Sequence, residues 1–222
     1  QFYFVHTAQF LGQFQNQAEG FIKVVNKIVG VGGGGLMTIG QMAEIGVLAS
    51  MPLLAKKYSR KTLLCTGIAA YTLRMFLFAY GPSFPTDWQL PAIILGVSMH
   101  GFCFGCFIFV AFMVVDEECS TDVRASGQSL FNLVIVGIGT IVGSLIAGYV
   151  ANIATIAGTI NYTVLFSIPM LAALFCLVWM LLFYPHRKPG TAPGNFEFDP
   201  EEIEVESDAP ETEVSDESEG EA

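Results

Sequence analysis

From Pro189 to Ala222 the chain has no Lys or Arg at all, against thirteen Asp or Glu. A stretch with so little apolar content and so much charge of one sign cannot bury a core, so residues 189–222 are expected to be a disordered acidic tail. The rest of the chain lacks charge of either sign. Residues 1–188 hold seven acids and ten bases, a net of +3, so the whole-chain charge of −10 belongs to the tail. With 53% hydrophobic and 14% charged residues overall, the body is too apolar for one or two ordinary soluble domains. Cysteine is scarce too, five residues with no disulfide pattern, and Cys65, Cys119 and Cys176 read as packing residues or free thiols. His100, Cys103 and Cys106 superficially resemble a metal set. Spacings of three drift around a helix axis, however, and no second Cys/His cluster completes it, so no metal is expected. No nucleophile–base pair and no phosphate loop is found, which excludes an enzyme and calls for no cofactor. No internal repeat stands out.

What is present is a series of long apolar runs. A crossing of the bilayer by a helix takes about 20 apolar residues. Residues 36–55, 62–80, 90–115, 128–151 and 162–184 each reach that length. One such run could be mimicked by a hairpin of soluble helices; five in succession could not. The expected fold class is therefore an all-α integral membrane bundle. Residues 1–11 (QFYFVHTAQFL) are apolar and aromatic but about half a crossing long, with loop chemistry after them. No initiator Met, basic leader or cleavage signal opens the chain. The simplest expectation is a partial first helix continuing an upstream half. With the stub there are six helices, and six-helix halves are a common unit of secondary transporters.

The short loops carry an asymmetric charge. Lys56, Lys57, Arg60, Lys61, Arg124, Arg187 and Lys188 all fall on one side, whereas the other has only Lys23 and Lys27. The rule that cytoplasmic loops are positive places the seven, and the tail, on the cytoplasmic side of a multi-pass membrane protein. Between residues 12 and 33, apolar positions recur at near-helical spacing before a run of glycines. A short surface helix and a solvated loop fit this stretch equally.

Ionisable and polar groups inside an apolar span are costly, which makes each a functional candidate. Gln41 and Glu44 lie mid-span at i, i+3, on one helix face directed at the bundle interior. An amide that donates and accepts, next to a carboxylate that accepts, suits a polyhydroxylated or heteroaromatic solute. Glu44 is also the candidate proton carrier. The competing role is a structural ion pair with a basic residue on a neighbouring helix, Arg74 being the obvious one. Arg74 itself reads as a structural or gating ion-pair partner. His100 has two readings of equal weight, a group that binds solute or relays a proton and a satisfied packing histidine.

Gly137, Gly139, Gly143 and Gly148 form a small-residue stripe, and Gly139-x-x-x-Gly143 is expected to let another helix approach closely. Asn161-Tyr162-Thr163 matches a glycosylation sequon at the membrane edge, where no sugar is expected. Asp116, Glu117, Glu118 and Asp122 face Arg124 across one short turn, with Lys56–Lys61 on the same side. Their ion pairs, Asp116 with Arg124 foremost, are candidates for a gating latch, each individually weak.

Several of these runs together resemble the nucleoside:proton symporter family of the major facilitator superfamily. They are Met37-Thr38-Ile39-Gly40-Gln41-Met42-Ala43-Glu44-Ile45, then Leu73-Arg74-Met75-Phe76-Leu77-Phe78-Ala79-Tyr80-Gly81. His100-Gly101-Phe102-Cys103-Phe104 follows, and Val123-Arg124-Ala125-Ser126-Gly127-Gln128-Ser129-Leu130-Phe131 leads into the glycine stripe. In family order and spacing, residues 1–184 look like the C-terminal six-helix half. The resemblance implies a twelve-helix transporter that alternates access, binds nucleoside in a central cavity and is driven by protons. It implies that Gln41 and Glu44 contact the nucleoside, and that Gln1 matches a glutamine on the seventh helix. His100 falls where some members have a tyrosine, and Phe104 matches an aromatic suited to stacking on a base. Where members often carry an acid beside that aromatic, this chain has Gly105. The implied partners are nucleoside, protons, the bilayer and the N-terminal half, and no nucleic acid. Two other functions fit the same spans, a transporter of another small polar solute such as a sugar, and a transporter-like receptor or scaffold.

Overall fold

The computed structural model of the protein describes residues 2–14, 16–29, 35–156 and 158–184. The chain divides into two units, Gln1–Thr191 and Ala192–Ala222, and every described residue belongs to the first. Gln1 and the acidic tail lie outside the described residues.

A short helix α1 (Phe2–Gly12) and a surface helix α2 (Glu19–Val29) precede α3 (Met37–Lys57) and α4 (Arg60–Tyr80). Next come α5 (Thr86–Cys103), a π-helical turn over Phe104–Phe109 and α6 (Val110–Glu118), which run on as one rod. The second such rod is α7 (Arg124–Asn132), a π-helical turn over Leu133–Ile138 and α8 (Gly139–Ala154). A two-residue ribbon joins β1 (Thr155–Ile156) to β2 (Thr159–Ile160), antiparallel with Thr155 opposite Ile160. Helix α9 (Tyr162–Phe183) follows.

Five helices are long and apolar enough to cross a membrane: Met37–Lys57, Arg60–Ser83, Thr86–Glu118, Arg124–Ala154 and Tyr162–Phe183. These are the five full spans read from the sequence. The second, third and fourth exceed their expected bounds at both ends because backbone hydrogen bonding does not stop where the apolar run does. At 1.5 Å per residue the third rod is about 50 Å long, against about 30 Å of hydrocarbon. Its polar ends, Asp87 and Asp116–Glu118, therefore stand beyond the apolar layer. Local chemistry sets the starts of two other spans. Ser59 accepts from the Thr62 amide at 3.2 Å and Asn161 from the Val164 amide at 3.3 Å, each satisfying an otherwise orphaned donor.

The stretch read as either surface helix or loop is a helix. In α2, Lys23 pairs with Glu19 at 2.6 Å one turn away, Ile22 is buried, and Phe21 and Val24 are exposed. The pair acts through space on an exposed face, and Lys23 holds the Glu19 carboxyl below its ordinary range by donating a hydrogen bond to it. Ile22 belongs to the larger of two cores, built around Phe10, Phe78 and Phe166. The Phe10 ring meets Phe14, Phe78, Tyr162 and Phe166 at centroid distances of 5.2–5.6 Å, tilted or edge-on as ring quadrupoles prefer. The smaller core, around Met51, Cys106 and Val110, lies towards the other end of the bundle. There Arg60 donates from Nε to both oxygens of Glu117 at 3.1 Å, and Lys61 Nζ donates to the carbonyls of Leu181 and Tyr184 at 2.8 and 2.6 Å. The second contact places a cation on the last, unsatisfied carbonyls of α9, where the helix dipole is negative.

Packing is uneven. Helix α4 lies against α5 and α9, and α5 against α3. The α7–α8 rod is buried only near its end, at Ala147, Val150, Ala151 and Ala154. The glycine stripe does not make the close helix approach expected of it. A Cβ at Gly143 or Gly148 would meet nothing within 4 Å, and at Gly137 and Gly139 it would meet only atoms of its own rod, Leu133 and Val134. Small residues remove a barrier to contact but supply no attraction of their own, and among the described residues no neighbour fills that face.

Candidate functional site

Close approach occurs instead at a glycine inside the His100 motif. A Cβ on Gly101 would lie 2.5 Å from the carbonyl carbon of Ala43 and 2.6 Å from the Glu44 amide nitrogen. The backbones of α3 and α5 therefore touch at this crossing, as only a residue without a side chain permits. A Cβ on Gly40 would lie 3.2 Å from the Val97 carbonyl oxygen, continuing the seam, and Gly105 faces Val47. On the opposite side of the rod, Gly67 of α4 would bring a Cβ within 2.7 Å of the Phe107 amide nitrogen. The rod that carries His100 is thus clamped between α3 and α4, and the polar side chains beside the glycines are forced together.

The result is a string of three. Glu44 Oε2 lies 3.5 Å from His100 Nε2, and His100 Nδ1 lies 2.7 Å from Arg74 Nη1. The guanidinium has donors and no acceptor, so it must be the donor to Nδ1. That fixes the tautomer: Nδ1 carries the lone pair, Nε2 carries the hydrogen, and the N–H points at Glu44. The Glu44 contact is long, at the outer edge of hydrogen-bonding range. Its side chain keeps 18% of its accessible surface, and it has no other partner among the described residues. Arg74 also lies over the Phe78 ring, 5.3 Å from its centroid, and its buried Nε has no hydrogen-bond partner among the described residues.

A cavity of about 410 Å³ opens on the Arg74 side of this string, between α4, the Phe104–Phe109 turn and α9. Tyr71, Arg74, His100, Phe104, Phe107 and Cys176 are among its lining. The volume is that of a small-molecule site, and the lining is mostly apolar and aromatic, with Tyr71, Arg74 and His100 bringing polar groups to it. The π-helical turn is what brings Phe104 and Phe107 to it. Such turns insert one residue into the helical ladder and recur at functional sites.

The expected residues are therefore partly gathered. Glu44, His100 and Arg74 meet, and Phe104 shares the cavity with the last two. Gln41 stands apart on an exposed face of α3, and neither it nor Glu44 lines the cavity. Arg74 is not the ion-pair partner of an acid, because His100 intervenes and takes its hydrogen bond. Asp116 and Arg124 lie at the helix ends, 3.5 Å apart and both about half exposed, which makes them a weak surface pair. The stronger contact there, Arg60 with Glu117, is formed by residues already in view in the sequence, but their partnership depends on how α4 meets α6. Gln1 lies outside the described residues. Gly101 and Gly67 were missed, since a single glycine beside bulky residues gives no spacing signal.

Five membrane-length helices, glycine-clamped around an interior acid, imidazole and guanidinium, define a multi-pass helical membrane protein with a polar site in its apolar body. The family is equally definite. The profile described as "Nucleoside H+ symporter" matches residues 1–188, and the chain belongs to that family. It is 30% identical over 143 residues to the xanthosine permease of Escherichia coli (strain K12), covering 64% of this chain and 34% of that protein. It is also 30% identical over 127 residues to the nucleoside permease NupG of the same organism, covering 57% of this chain and 30% of the relative. A crystal structure of a point mutant of the nucleoside transporter NupG superposes with a TM-score of 0.64 at 26% identity, covering 68% of this chain and 37% of that one. The chain spans about a third of the length of the relatives it matches. Its fold is that of a major facilitator-like helical half-bundle.

Proposed function

We propose that the chain forms the C-terminal half-bundle of a proton-coupled nucleoside transporter that works by alternating access. The observation that carries this reading is the Glu44–His100–Arg74 string beside an aromatic cavity, in a chain of the nucleoside H+ symporter family. A nucleoside asks for three things. Its base needs an aromatic face, which Phe104 offers. Its ribose hydroxyls need acceptors and donors, which Glu44 and the exposed Gln41 of α3 would offer from outside the cavity of about 410 Å³. Its base edge needs fixed polar groups, and His100 is placed for that role. Gln1 is a further candidate contact, on the strength of the family resemblance alone. Glu44 is the proton-coupling candidate: a carboxyl group inside an apolar span, with one long contact, is costly there unless it serves a function.

The body comprises residues 1–188 and the acidic tail residues 189–222, with the lysine-rich end and the tail on the cytoplasmic side of the inner membrane. Asp116–Arg124 and Arg60–Glu117 lie at that end and would exchange partners between transport states. The partners are nucleoside, protons, lipid and the N-terminal half of the transporter, which would supply the other cavity wall.

The test is uptake of labelled uridine or adenosine by cells expressing the full-length protein. Saturable uptake that a protonophore reduces at least tenfold is expected. Uptake of neither nucleoside, or uptake indifferent to the protonophore, would contradict the reading.

A further inference from the structure

A second hollow lies towards the lysine-rich end of the bundle. It has a volume of about 600 Å³, and Ile68, Phe107, Cys176, Trp179, Phe183 and Tyr184 stand in its wall. It shares Ile68, Phe107 and Cys176 with the cavity beside the polar string, but neither Arg74 nor His100 lines it. Phe175, Trp179 and Phe183 follow one another at i, i+4 along α9, with ring centroids 6.1 and 4.4 Å apart. These rings are more than half exposed, so the ladder faces whatever surrounds the bundle. From Phe175 to Tyr184 the helix rises about 14 Å. That is close to half the hydrocarbon thickness of about 30 Å, the depth of a single leaflet.

An apolar hollow in an apolar solvent does not choose its occupant; the polar groups at its end do. Lys61 stands at that end, its Nζ donating to the carbonyls of Leu181 and Tyr184 at 2.8 and 2.6 Å. An ammonium has three N–H donors, so one is left without an acceptor among the described residues. Lys56 and Lys57, in the last turn of α3, are exposed and take no part in the ion pairs of this end, Arg60 with Glu117 and Arg124 with Asp116. Trp179 brings an indole N–H about 6 Å below the end of α9, the level at which amphipathic rings meet lipid headgroups.

We propose that this groove binds one anionic phospholipid of the leaflet at the lysine-rich end. One acyl chain lies along the aromatic ladder against Ile68 and Phe107, the Trp179 indole N–H donates to an ester carbonyl, and the free Lys61 N–H donates to the phosphate. Lys61 is then shared between the last carbonyls of α9 and the lipid, which ties the end of α9 to the start of α4. A choline headgroup would fit the same groove but would set its own cation beside Lys56 and Lys57, so charge decides between the two lipids. The inference rests on the membrane reading and on no particular solute.

The experiment is native mass spectrometry of the purified full-length protein in detergent, titrated with phosphatidylglycerol or with phosphatidylcholine of the same chains. Wild type is expected to retain one phosphatidylglycerol with a preference of about fivefold, the worth of one basic residue at an anionic surface. Lys61→Ala is expected to bind the two lipids equally, and Lys61→Arg to keep the preference. Cys176→Trp, which fills the groove and leaves the lysine in place, is expected to retain neither lipid. Lys23→Ala, at the opposite end, is expected to behave as wild type. A cooperative thermal melt of each variant certifies that it folds. Equal binding of both lipids by wild type would overturn the proposal, as would no binding because the N-terminal half covers the groove. An undiminished preference in Lys61→Ala or Cys176→Trp, or its loss in Lys23→Ala, would overturn it too. Each of these results leaves nucleoside uptake to be decided by its own test.

Discussion

Two regions of the bundle carry glycines, and they behave in opposite ways. At the α3–α5 crossing, Gly101 brings two backbones into contact, so that Glu44 and His100 face one another 3.5 Å apart. Along the α7–α8 rod, Gly143 and Gly148 meet nothing within 4 Å. The second set has the regular spacing that a small-residue motif is recognised by; the first does not. What distinguishes them is the partner surface. Gly101 is matched by the Ala43–Glu44 backbone of α3, and Gly40 by Val97 one turn away, whereas Gly143 and Gly148 on the α7–α8 rod face open space among the described residues. Contact follows from complementary surfaces, and the polar pair is held where two such surfaces coincide.

The contrast is sharpest under substitution. Gly101→Leu should have the largest effect, because its side chain must push α3 and α5 apart where backbone already meets backbone. A loss of about 1–3 kcal/mol is expected, as for overpacking of a close-packed core. Thermal unfolding of the full-length protein would register it, and uptake should fall more than tenfold because Glu44 and His100 no longer meet. Arg60→Ala comes next. It removes a two-pronged but partly exposed pair with Glu117, worth about 1 kcal/mol or less, so the melting temperature should drop slightly and uptake change by only a fewfold. Gly143→Ala should be the smallest, within about 0.5 kcal/mol of wild type, as a methyl group enters unoccupied space. A Gly143→Ala variant as damaged as Gly101→Leu would break the comparison, since it would mean that the stripe is a packed seam.

Much of this was legible in the sequence, for physical reasons that also mark where legibility ends. The five spans follow from apolar length, because hydrocarbon tolerates few alternatives to a helix. Glu44, Arg74 and His100 stood out because charge and polarity in an apolar run are costly. Their connectivity did not. An acid and a base on neighbouring spans read as an ion pair, whereas the structure interposes His100, since the order of contact depends on how α3, α4 and α5 rotate about their axes. The extra residue that turns Phe104 and Phe107 towards the cavity is likewise invisible to periodicity. The apolar spacing in this stretch allows a helix, but α2 is anchored by Ile22, which belongs to the core around Phe10.

The central claim is that Glu44 acts in proton-driven nucleoside transport. The most direct measurement is the initial rate of labelled uridine uptake by full-length Glu44→Gln against wild type, at matched amounts of membrane-inserted protein and with an inward proton gradient imposed. Glutamine preserves the shape and a hydrogen-bonding tip but cannot cycle a charge. The account predicts at least a tenfold loss of gradient-driven uptake in the variant. Gradient-driven uptake at the wild-type rate would contradict it.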